Sequence, residues 1–392
     1  MNARYRKGMV ALSADPITFG HLHLIETARD QCDTLVVLIA NNDMKANGSL
    51  FTLEERTEIA RRTTAHMPRV EVMSSNDLLV DIFLAQGCDV LFRGIRNEED
   101  RAYEERQMAY HALIYPPIAD QIMYLPSSPA FTHISSTLVK AFANHHVDSS
   151  AMVPLLVKQR MEERLHGQFK LGVTGEIATG KSWICHAVCE KARQSGLDAH
   201  TINIDELLRS LYLEQTPGTQ RLREEIAQHI GDHVLCADRT TLDRHKMAET
   251  LFDATTSSDV RIAIEQLVRP HIDRLFRAAL QGKHGLILIE WAQLAQMQLG
   301  NWTNNHVLLV ESEDRPEFAR ERGINTERLM RMKELQWDAD HQADALEQRA
   351  MRDGHGSVIR FHNHRDAGRS QKAVEDLLMH LQTNLFPQWS TT

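Results

Sequence analysis

The feature that most constrains this chain is a glycine-rich segment between an apolar strand and an amphipathic helix. Residues 175–182 read GEIATGKS, which matches the pattern G-x-x-x-x-G-K-S/T. In that setting Gly175 and Gly180 let backbone N–H groups converge on phosphate oxygens at the positive N-terminus of the helix. The segment therefore predicts an ATP site in which Lys181 reaches the β- and γ-phosphates and the Ser182 hydroxyl binds Mg²⁺.

Predicted strands and helices alternate along the whole chain. Short apolar runs rich in β-branched residues alternate with amphipathic stretches, which is the pattern of parallel sheets wrapped by helices. Five strands are predicted in the first half, at Met9–Ser13, Thr34–Ala40, Val70–Met73, Val90–Arg93 and Ile122–Leu125. Five more are predicted in the second half, at Lys170–Thr174, Ala199–Ile204, Gly285–Trp291, Val307–Glu311 and Val358–His362. The sequence predicts the α/β fold class, with two parallel-sheet domains.

A short connection separates the two predicted domains. A helix predicted over residues 151–165, with Pro154 in its first turn, is followed almost at once by a new strand. We therefore expect the first domain to cover residues 1–166 and the second to cover residues 168–392. A chain of 392 residues fits this division, because domains average roughly 150 residues.

Composition and charge restrict the kinds of partner. Acidic residues outnumber basic ones 53 to 44 without a basic stripe, so nucleic-acid binding is not expected. Five cysteines without framework spacing predict reduced thiols and a cytoplasmic protein. No run approaches the roughly 18 apolar residues of a membrane span, so no membrane partner is expected. The oligomeric state stays open, and a homo-oligomer is one possibility.

The first half carries a second candidate phosphate site at the entry to a helix. Residues 18–21 read TFGH and follow the first predicted strand. Gly20 allows a close approach of backbone to phosphate, and His21 can hydrogen-bond an α-phosphate as charge builds on it. The alternative is that His21 is a helix cap or a core residue.

Two further clusters of the first half suit the same ligand. Ser135 and Ser136 open a later helix, where hydroxyls and N–H groups can bind phosphate. Arg93 and Arg96 end the fourth strand and place two cations at the carboxyl edge of a parallel sheet, where ligands bind. We expect these clusters to converge on one edge of the sheet.

Together these segments resemble the nucleotidyltransferase superfamily, with its Rossmann-like fold, and more closely phosphopantetheine adenylyltransferase, over about residues 8–160. The string FTLEER at 51–56 looks like that family's own sequence. The resemblance departs from the family at Leu12, which replaces a glycine, and in loop lengths after Lys45 and Glu104. It implies that Ser13 and His21 contact the phosphates and that phosphopantetheine is bound by Lys45, Arg93, Leu78 and Leu79. It implies that ATP is bound by Arg96, Gly20, Glu104, Ser135 and Ser136. Positioning and charge stabilisation by His21, Lys45 and Arg96 would accelerate the reaction.

In the second half, Asp205 ends the second predicted strand, about where a kinase needs a carboxylate to accept a proton from the attacking hydroxyl. The alternative is that Asp205 is the N-cap of a helix over residues 206–213. A group of arginines lies on a later helix pair that could close over the phosphates, the alternative being a solvated face: Arg315, Arg320, Arg322, Arg328 and Arg331.

Residues 169–385 resemble dephospho-CoA kinase, which has the P-loop kinase fold. The resemblance rests on the strand and loop at 170–182, Ile204-Asp205-Glu206, TTLDR at 240–244, RPH at 269–271 and the pattern Arg320, Arg328, Gln336. It implies that Asp205 serves the ribose 3′-hydroxyl and that Arg320 binds ATP. This chain departs from the family at four places: Glu176 and Ala178 stand where glycines are usual, Trp183 follows Ser182, and WAQL replaces the usual segment at 291–294.

The two resemblances, in this order, imply a bifunctional enzyme for the last two steps of coenzyme A synthesis. Its small-molecule substrates would be ATP, 4′-phosphopantetheine and dephospho-CoA, with Mg²⁺ accompanying ATP. One alternative is a nicotinamide-mononucleotide adenylyltransferase fused to a ribosylnicotinamide kinase. Another is a nucleotide-binding regulator whose P-loop domain no longer catalyses, which Glu176, Ala178 and Trp183 make conceivable.

Overall fold

The computed structural model describes residues 5–41, 48–237, 239–252, 257–321, 323 and 336–391. The chain divides into two compact units, Met1–Leu165 and His166–Thr392. Each unit holds a five-stranded sheet in which every pairing is parallel, with helices packed on it. The predicted α/β class with two parallel-sheet domains is confirmed.

The first unit has the strand order β3-β2-β1-β4-β5. Its strands are β1 (Tyr5–Leu12), β2 (Cys32–Ala40), β3 (Val70–Ser75), β4 (Val90–Ile95) and β5 (Ile122–Pro126). Its helices are α1 (Phe19–Arg29), α2 (Leu53–Thr64), α3 (Leu79–Ala85), α4 (Glu98–Ile114), α5 (Ser136–Asn144) and α6 (Leu155–His166), with a 3₁₀ helix at Pro116–Gln121. The order reverses between β1 and β4, and ligands of such sheets bind outside the carboxyl ends of strands at that point.

The core of the first unit lies on both faces of this sheet. Val37 packs into one hydrophobic cluster, while its neighbours Val36 and Leu38 pack into the cluster on the other face. Successive strand residues point to opposite faces, so a strand covered on both sides needs a continuous apolar run. This requirement explains why β2 was recognisable in the sequence.

The second unit has the strand order β10-β9-β6-β8-β7, which places β6 at the centre. Its strands are β6 (Gln168–Thr174), β7 (Ala199–Asn203), β8 (Gly285–Glu290), β9 (His306–Glu311) and β10 (Ser357–His362). Its described helices are α7 (Lys181–Gln194), α8 (Ile204–Leu213), α9 (Pro217–Ile230), α10 (Arg244–Phe252), α11 (Ser258–Leu280), α12 (Arg315–Glu321), α13 (Ala339–Arg352) and α14 (Ala367–His380). Shorter 3₁₀ and π turns occur at Asp232–Val234, Gly300–Thr303, Leu381–Leu385 and Pro387–Thr391.

All ten predicted strands are present, and the differences lie at element ends. The helix predicted over 151–165 begins only at Leu155, so Pro154 precedes the helix instead of lying in its first turn. Proline disfavours helical backbone in the residue before it, here Val153, which explains the later start. Strand β7 ends at Asn203, one residue earlier than predicted. Among the described residues, none of the helices combines the length and apolar character needed to cross a membrane.

We propose that fragments 1–166 and 168–392 fold on their own, because the hydrophobic clusters of each unit draw residues from that unit alone. Each purified fragment is expected to unfold cooperatively in urea, followed by circular dichroism, with tyrosine fluorescence for fragment 1–166, which has no tryptophan, and tryptophan fluorescence for fragment 168–392. A fragment that is insoluble, or that loses its structure without a cooperative transition, would contradict this division.

Candidate active sites

The first site is built at the start of α1. Thr18 is the N-cap: its hydroxyl accepts a hydrogen bond from the His21 N–H at 3.4 Å, and the Thr18 N–H donates to His21 Nδ1 at 3.0 Å. Because Nδ1 accepts a backbone N–H, the neutral ring carries its proton on Nε2. His21 is therefore part of the helix cap, and the cap selects the tautomer that can donate from Nε2.

The start of α5 is tied to the loop before α1. Ser135 is the N-cap of α5 and accepts from the Leu138 N–H at 3.2 Å, while the Ser136 hydroxyl donates to the Pro16 carbonyl at 2.8 Å. The first N–H groups of a helix lack partners within it and carry a partial positive charge. The loop before α1 thus contacts the N-termini of both α1 and α5, and this arrangement favours the binding of an anion there.

Asp15 holds this loop in place, a role that the sequence reasoning missed. Its carboxylate is 6% exposed and accepts hydrogen bonds from the Leu50 and Phe51 N–H groups, each at 3.0 Å. It also pairs with Lys140 Nζ of α5 at 3.0 Å. Asp15 thus joins the loop after β1 to the start of α2 and to α5.

Arg56 is a second missed residue, buried to 2% exposure on α2. Its guanidinium donates to the Ser13 carbonyl at 2.6 Å and the Ala40 carbonyl at 3.2 Å, and to Asn41 Oδ1 at 2.5 Å. Burial lowers the pKa of this guanidinium. Arg56 therefore fixes the ends of β1 and β2, and with them the predicted phosphate contact Ser13. Lys45 lies outside the described residues.

The arginines after β4 make separate contacts. Arg93 pairs with Glu104 at 2.5 Å and donates to the Ala11 carbonyl of β1 at 3.2 Å. Two residues that the resemblance assigns to different substrates are thus partners. Arg96 instead pairs with Asp100 at 2.6 Å, a contact that lowers the pKa of the Asp100 carboxyl through its hydrogen bond. Of these two arginines, Arg93 contacts β1, whereas Arg96 pairs with a residue in the first turn of α4.

Two predicted substrate-binding leucines lie at a third helix start. Leu78 is the N-cap residue of α3 and is 55% exposed, and Leu79 begins that helix half-buried. Both follow β3, so they lie at the carboxyl edge of the same sheet as β1 and β4. Their role at phosphopantetheine stays a prediction.

The second site is the loop between β6 and α7, where two glycines are required by the fold itself. Gly175 has φ +138°, and a Cβ there would lie 2.2 Å from the Val310 carbonyl oxygen. Gly180 has φ +87° and is the N-cap of α7, and a Cβ there would lie 2.2 Å from Asn363 Nδ2. Neither position has room for a side chain.

Lys181 and Ser182 begin α7 and make different contacts. The Lys181 ammonium donates to the carbonyls of Gly175 and Glu176, at 2.9 and 2.8 Å. The Ser182 hydroxyl donates to Glu290 Oε1 at 2.6 Å. The Lys181 ammonium therefore lies against the first residues of its own loop, whereas Ser182 is hydrogen-bonded to the last residue of β8.

Glu290 is a third residue that the sequence reasoning missed. It is 7% exposed at the end of β8, and its second carboxylate oxygen accepts from Asn203 Nδ2 at 3.1 Å. A carboxylate that ends the apolar run of β8 was the available signal. The Ser182 hydroxyl and the Glu290 carboxylate are hard oxygen donors, which is the ligand chemistry that Mg²⁺ prefers, so these residues fit that ion.

Asp205 lies in the first turn of α8 and is exposed. The N-cap of α8 is Asn203, whose side chain accepts from the Glu206 N–H at 3.2 Å, so the alternative that Asp205 is the cap is wrong. Asparagine is a favoured N-cap residue, which explains why β7 ends at Asn203 and α8 begins at Ile204, before Asp205. Through Asn203 and Glu290, the turn that carries Asp205 is linked to Ser182.

The two described arginines of α12, Arg315 and Arg320, differ in their burial. Arg315 is 8% exposed and pairs with Glu176 at 2.5 Å, so the solvated-face interpretation is wrong for it. Arg320 is exposed on α12. The remaining three lie outside the described residues: Arg322, Arg328 and Arg331.

Both halves match known families. Residues 13–142 match the Cytidylyltransferase-like family and residues 169–354 match the Dephospho-CoA kinase family. A phosphopantetheine adenylyltransferase of Symbiobacterium thermophilum is 36% identical over 152 residues, which cover 39% of this chain and 91% of that protein. The chain belongs to the phosphopantetheine adenylyltransferase family. A phosphopantetheine adenylyltransferase of Nautilia profundicola is 35% identical over 151 residues, covering 38% of this chain and 95% of that protein.

The chain is therefore a transferase of coenzyme A synthesis, with a nucleotidyltransferase domain followed by a domain that matches the Dephospho-CoA kinase family. Solved structures are more distant. TT1252 from Thermus thermophilus has 21% identity and a TM-score of 0.39, covering 54% of this chain and 96% of that one. A NadR protein in complex with NAD and AMP-PNP has 13% identity and a TM-score of 0.32, covering 97% of each chain.

The two loops predict opposite outcomes for glycine-to-alanine substitutions. A Cβ on Gly20 would meet only ordinary contacts, at 3.6 Å from Thr18 Oγ1 and 3.7 Å from Phe131 Cβ. We expect Gly20→Ala to keep its urea midpoint and to slow adenylyl transfer about a hundredfold by displacing the phosphates. Gly175→Ala is expected to lose about 2–4 kcal/mol of stability. Equal unfolding midpoints for both variants would contradict this distinction.

Proposed function

We propose that this chain makes coenzyme A from 4′-phosphopantetheine in two reactions, each using one MgATP. The first joins the AMP part of ATP to the phosphate of phosphopantetheine and releases pyrophosphate. The second transfers the γ-phosphoryl group of another ATP to the ribose 3′-hydroxyl of dephospho-CoA. The main support is that two helix starts suited to phosphate, built from different residues, lie in domains of the two matching families in this order.

In the first reaction the phosphate of phosphopantetheine is itself the nucleophile, so no protein nucleophile is needed. The chain's task is to align the two phosphates and to stabilise charge developing on the α-phosphate. His21 would donate from Nε2, since Thr18 holds Nδ1 as an acceptor. The N–H groups at the starts of α1 and α5 would bind phosphate oxygens, and Lys45 and Arg96 would supply positive charge.

In the second reaction, the loop at 175–182 would hold the phosphates of ATP. Lys181 would exchange its contacts to the Gly175 and Glu176 carbonyls for phosphate oxygens. Ser182 and Glu290 would hold Mg²⁺, directly or through water, and the bound ion would supply positive charge against the phosphates of ATP. Asp205 would accept the proton of the ribose hydroxyl, and Arg320 would bind ATP.

Two alternatives have weaker support. The curated relatives of the first half carry the phosphopantetheine name, which favours phosphopantetheine over nicotinamide mononucleotide as the substrate. An inactive regulator would have no need for Ser182, Glu290 and Asn203 to form one hydrogen-bonded set. None of the five cysteines, all of them in the described part of the chain, forms a disulfide, which supports a reducing, cytoplasmic location.

The proposal predicts the products of a single mixture. Purified chain with MgATP and 4′-phosphopantetheine is expected to form dephospho-CoA and then coenzyme A, identified by mass. Consumption of nicotinamide mononucleotide in place of phosphopantetheine would contradict the first assignment. Dephospho-CoA that accumulates without coenzyme A would contradict the second.

Separate residues predict separable half-reactions. His21→Ala removes a donor to developing charge, which typically costs about 10²–10³ in rate, so adenylylation should collapse while supplied dephospho-CoA is still phosphorylated. Asp205→Asn should abolish phosphorylation and leave pyrophosphate release intact. The matched control is Glu206→Gln, the neighbouring exposed carboxylate of the same helical turn, which should phosphorylate at the parental rate. Near-parental phosphorylation by Asp205→Asn would exclude it as the base.

A further inference from the structure

The phosphate loop of the second unit contains an acidic residue that is paired with a buried arginine. Arg315 Nη1 lies 2.5 Å from Glu176 Oε1, and the two side chains are only 10% and 20% exposed. Glu176 is the second residue of the loop and stands where the resembling family has glycine. Arg315 begins α12, so the contact joins the loop to a helix 139 residues later in the chain.

A carboxylate in such a loop opposes its ligand. ATP brings several negative charges, and a side chain with little solvent around it is poorly screened by water and salt. An unpaired Glu176 would therefore weaken the binding of polyphosphate. The Arg315 guanidinium cancels that charge at the carboxylate itself, and a bare buried carboxylate would be costly even without ATP.

Further contacts hold Arg315 against the loop. Its Nε donates to the Ile177 carbonyl at 3.0 Å. Ala178, also a departure from the family's glycines, packs with Ala319 of α12, and both are at most 2% exposed. Arg315 Nη2 is buried without a hydrogen-bond partner among the described residues, so the guanidinium retains donor capacity beside the loop.

We propose that Arg315 is a positioning residue of the kinase site, which neutralises Glu176 and thereby allows an acidic phosphate loop to bind ATP. Arg315 acts on ATP binding through Glu176, and its contact with the Ile177 carbonyl holds it beside that carboxylate. The proposal rests on the kinase function proposed above. It gives the two departures at 176 and 178 one common explanation, because both make their contacts with α12.

A double-substitution cycle on the full chain tests this proposal, with supplied dephospho-CoA and varied MgATP. Arg315→Gln leaves Glu176 unpaired and is expected to raise the KM for ATP about tenfold, with kcat changed by less than about threefold. Adding Glu176→Gln to that variant is expected to bring KM back to within about threefold of the parental value. Glu176→Gln alone is expected not to raise KM.

The outcomes separate charge compensation from a purely structural ion pair. A structural pair would be broken equally by either single substitution, so a KM raised as much by Glu176→Gln as by Arg315→Gln would overturn the proposal. A double variant no better than Arg315→Gln would overturn it as well. The matched control is Arg274→Gln, which breaks another 2.5 Å pair in the same unit, with Glu214, and should leave KM unchanged.

Two further measurements keep the test decisive. Arg315→Lys loses the donor to the Ile177 carbonyl but retains the positive charge beside Glu176, so it should keep KM within about threefold of the parent and carries the test with the double variant if Arg315→Gln does not fold. Calorimetric titration of MgATP into the same chains should show the same weakening and recovery at one of the two proposed ATP sites, while the site of the first unit stays unchanged. A parent that binds ATP but phosphorylates nothing contradicts the kinase function alone, and the pattern of affinities then decides the role of Arg315.

Discussion

The backbone N–H groups in the first turn of a helix have no partner within that helix, and both units place such a turn after the central strand of a parallel sheet. In the first unit this turn begins α1, and in the second it begins α7. The partial positive charge there suits phosphate, whichever reaction follows. The surrounding side chains then determine how the two sites differ.

The side chains around the two turns differ in the groups that they hold in place. In the first site, buried Asp15 and Arg56 fix the loop, and Thr18 fixes the tautomer of His21. In the second site, Glu290 joins Ser182 to the turn that carries Asp205. Adenylyl transfer from a phosphate nucleophile needs alignment and charge stabilisation alone, whereas phosphorylation of a hydroxyl also needs a proton acceptor. The roles proposed for these residues follow this difference in chemistry.

The sequence predicted the fold class and the strands because buried parallel strands require continuous apolar runs, as in β2. It predicted the glycine loop because the backbone at Gly175 admits no side chain. It missed residues whose role depends on contacts distant in sequence. Asp15 meets Lys140 across 125 residues, and Ser182 meets Glu290 across 108. Local spacing can mark one member of such a pair, as the carboxylate at the end of β8 does, but it does not identify the partner, which only the folded chain brings near.

We propose that one chain carries out both reactions on the way to one molecule of coenzyme A. The most direct measurement follows two isotopic labels, one on the α-phosphorus and one on the γ-phosphorus of ATP, into coenzyme A made from unlabelled phosphopantetheine. Each coenzyme A molecule is expected to carry one α-label in its diphosphate bridge and one γ-label at the ribose 3′-position. One pyrophosphate and one ADP are expected per molecule formed. A product that carries the α-label alone, or no α-label, would contradict this proposal.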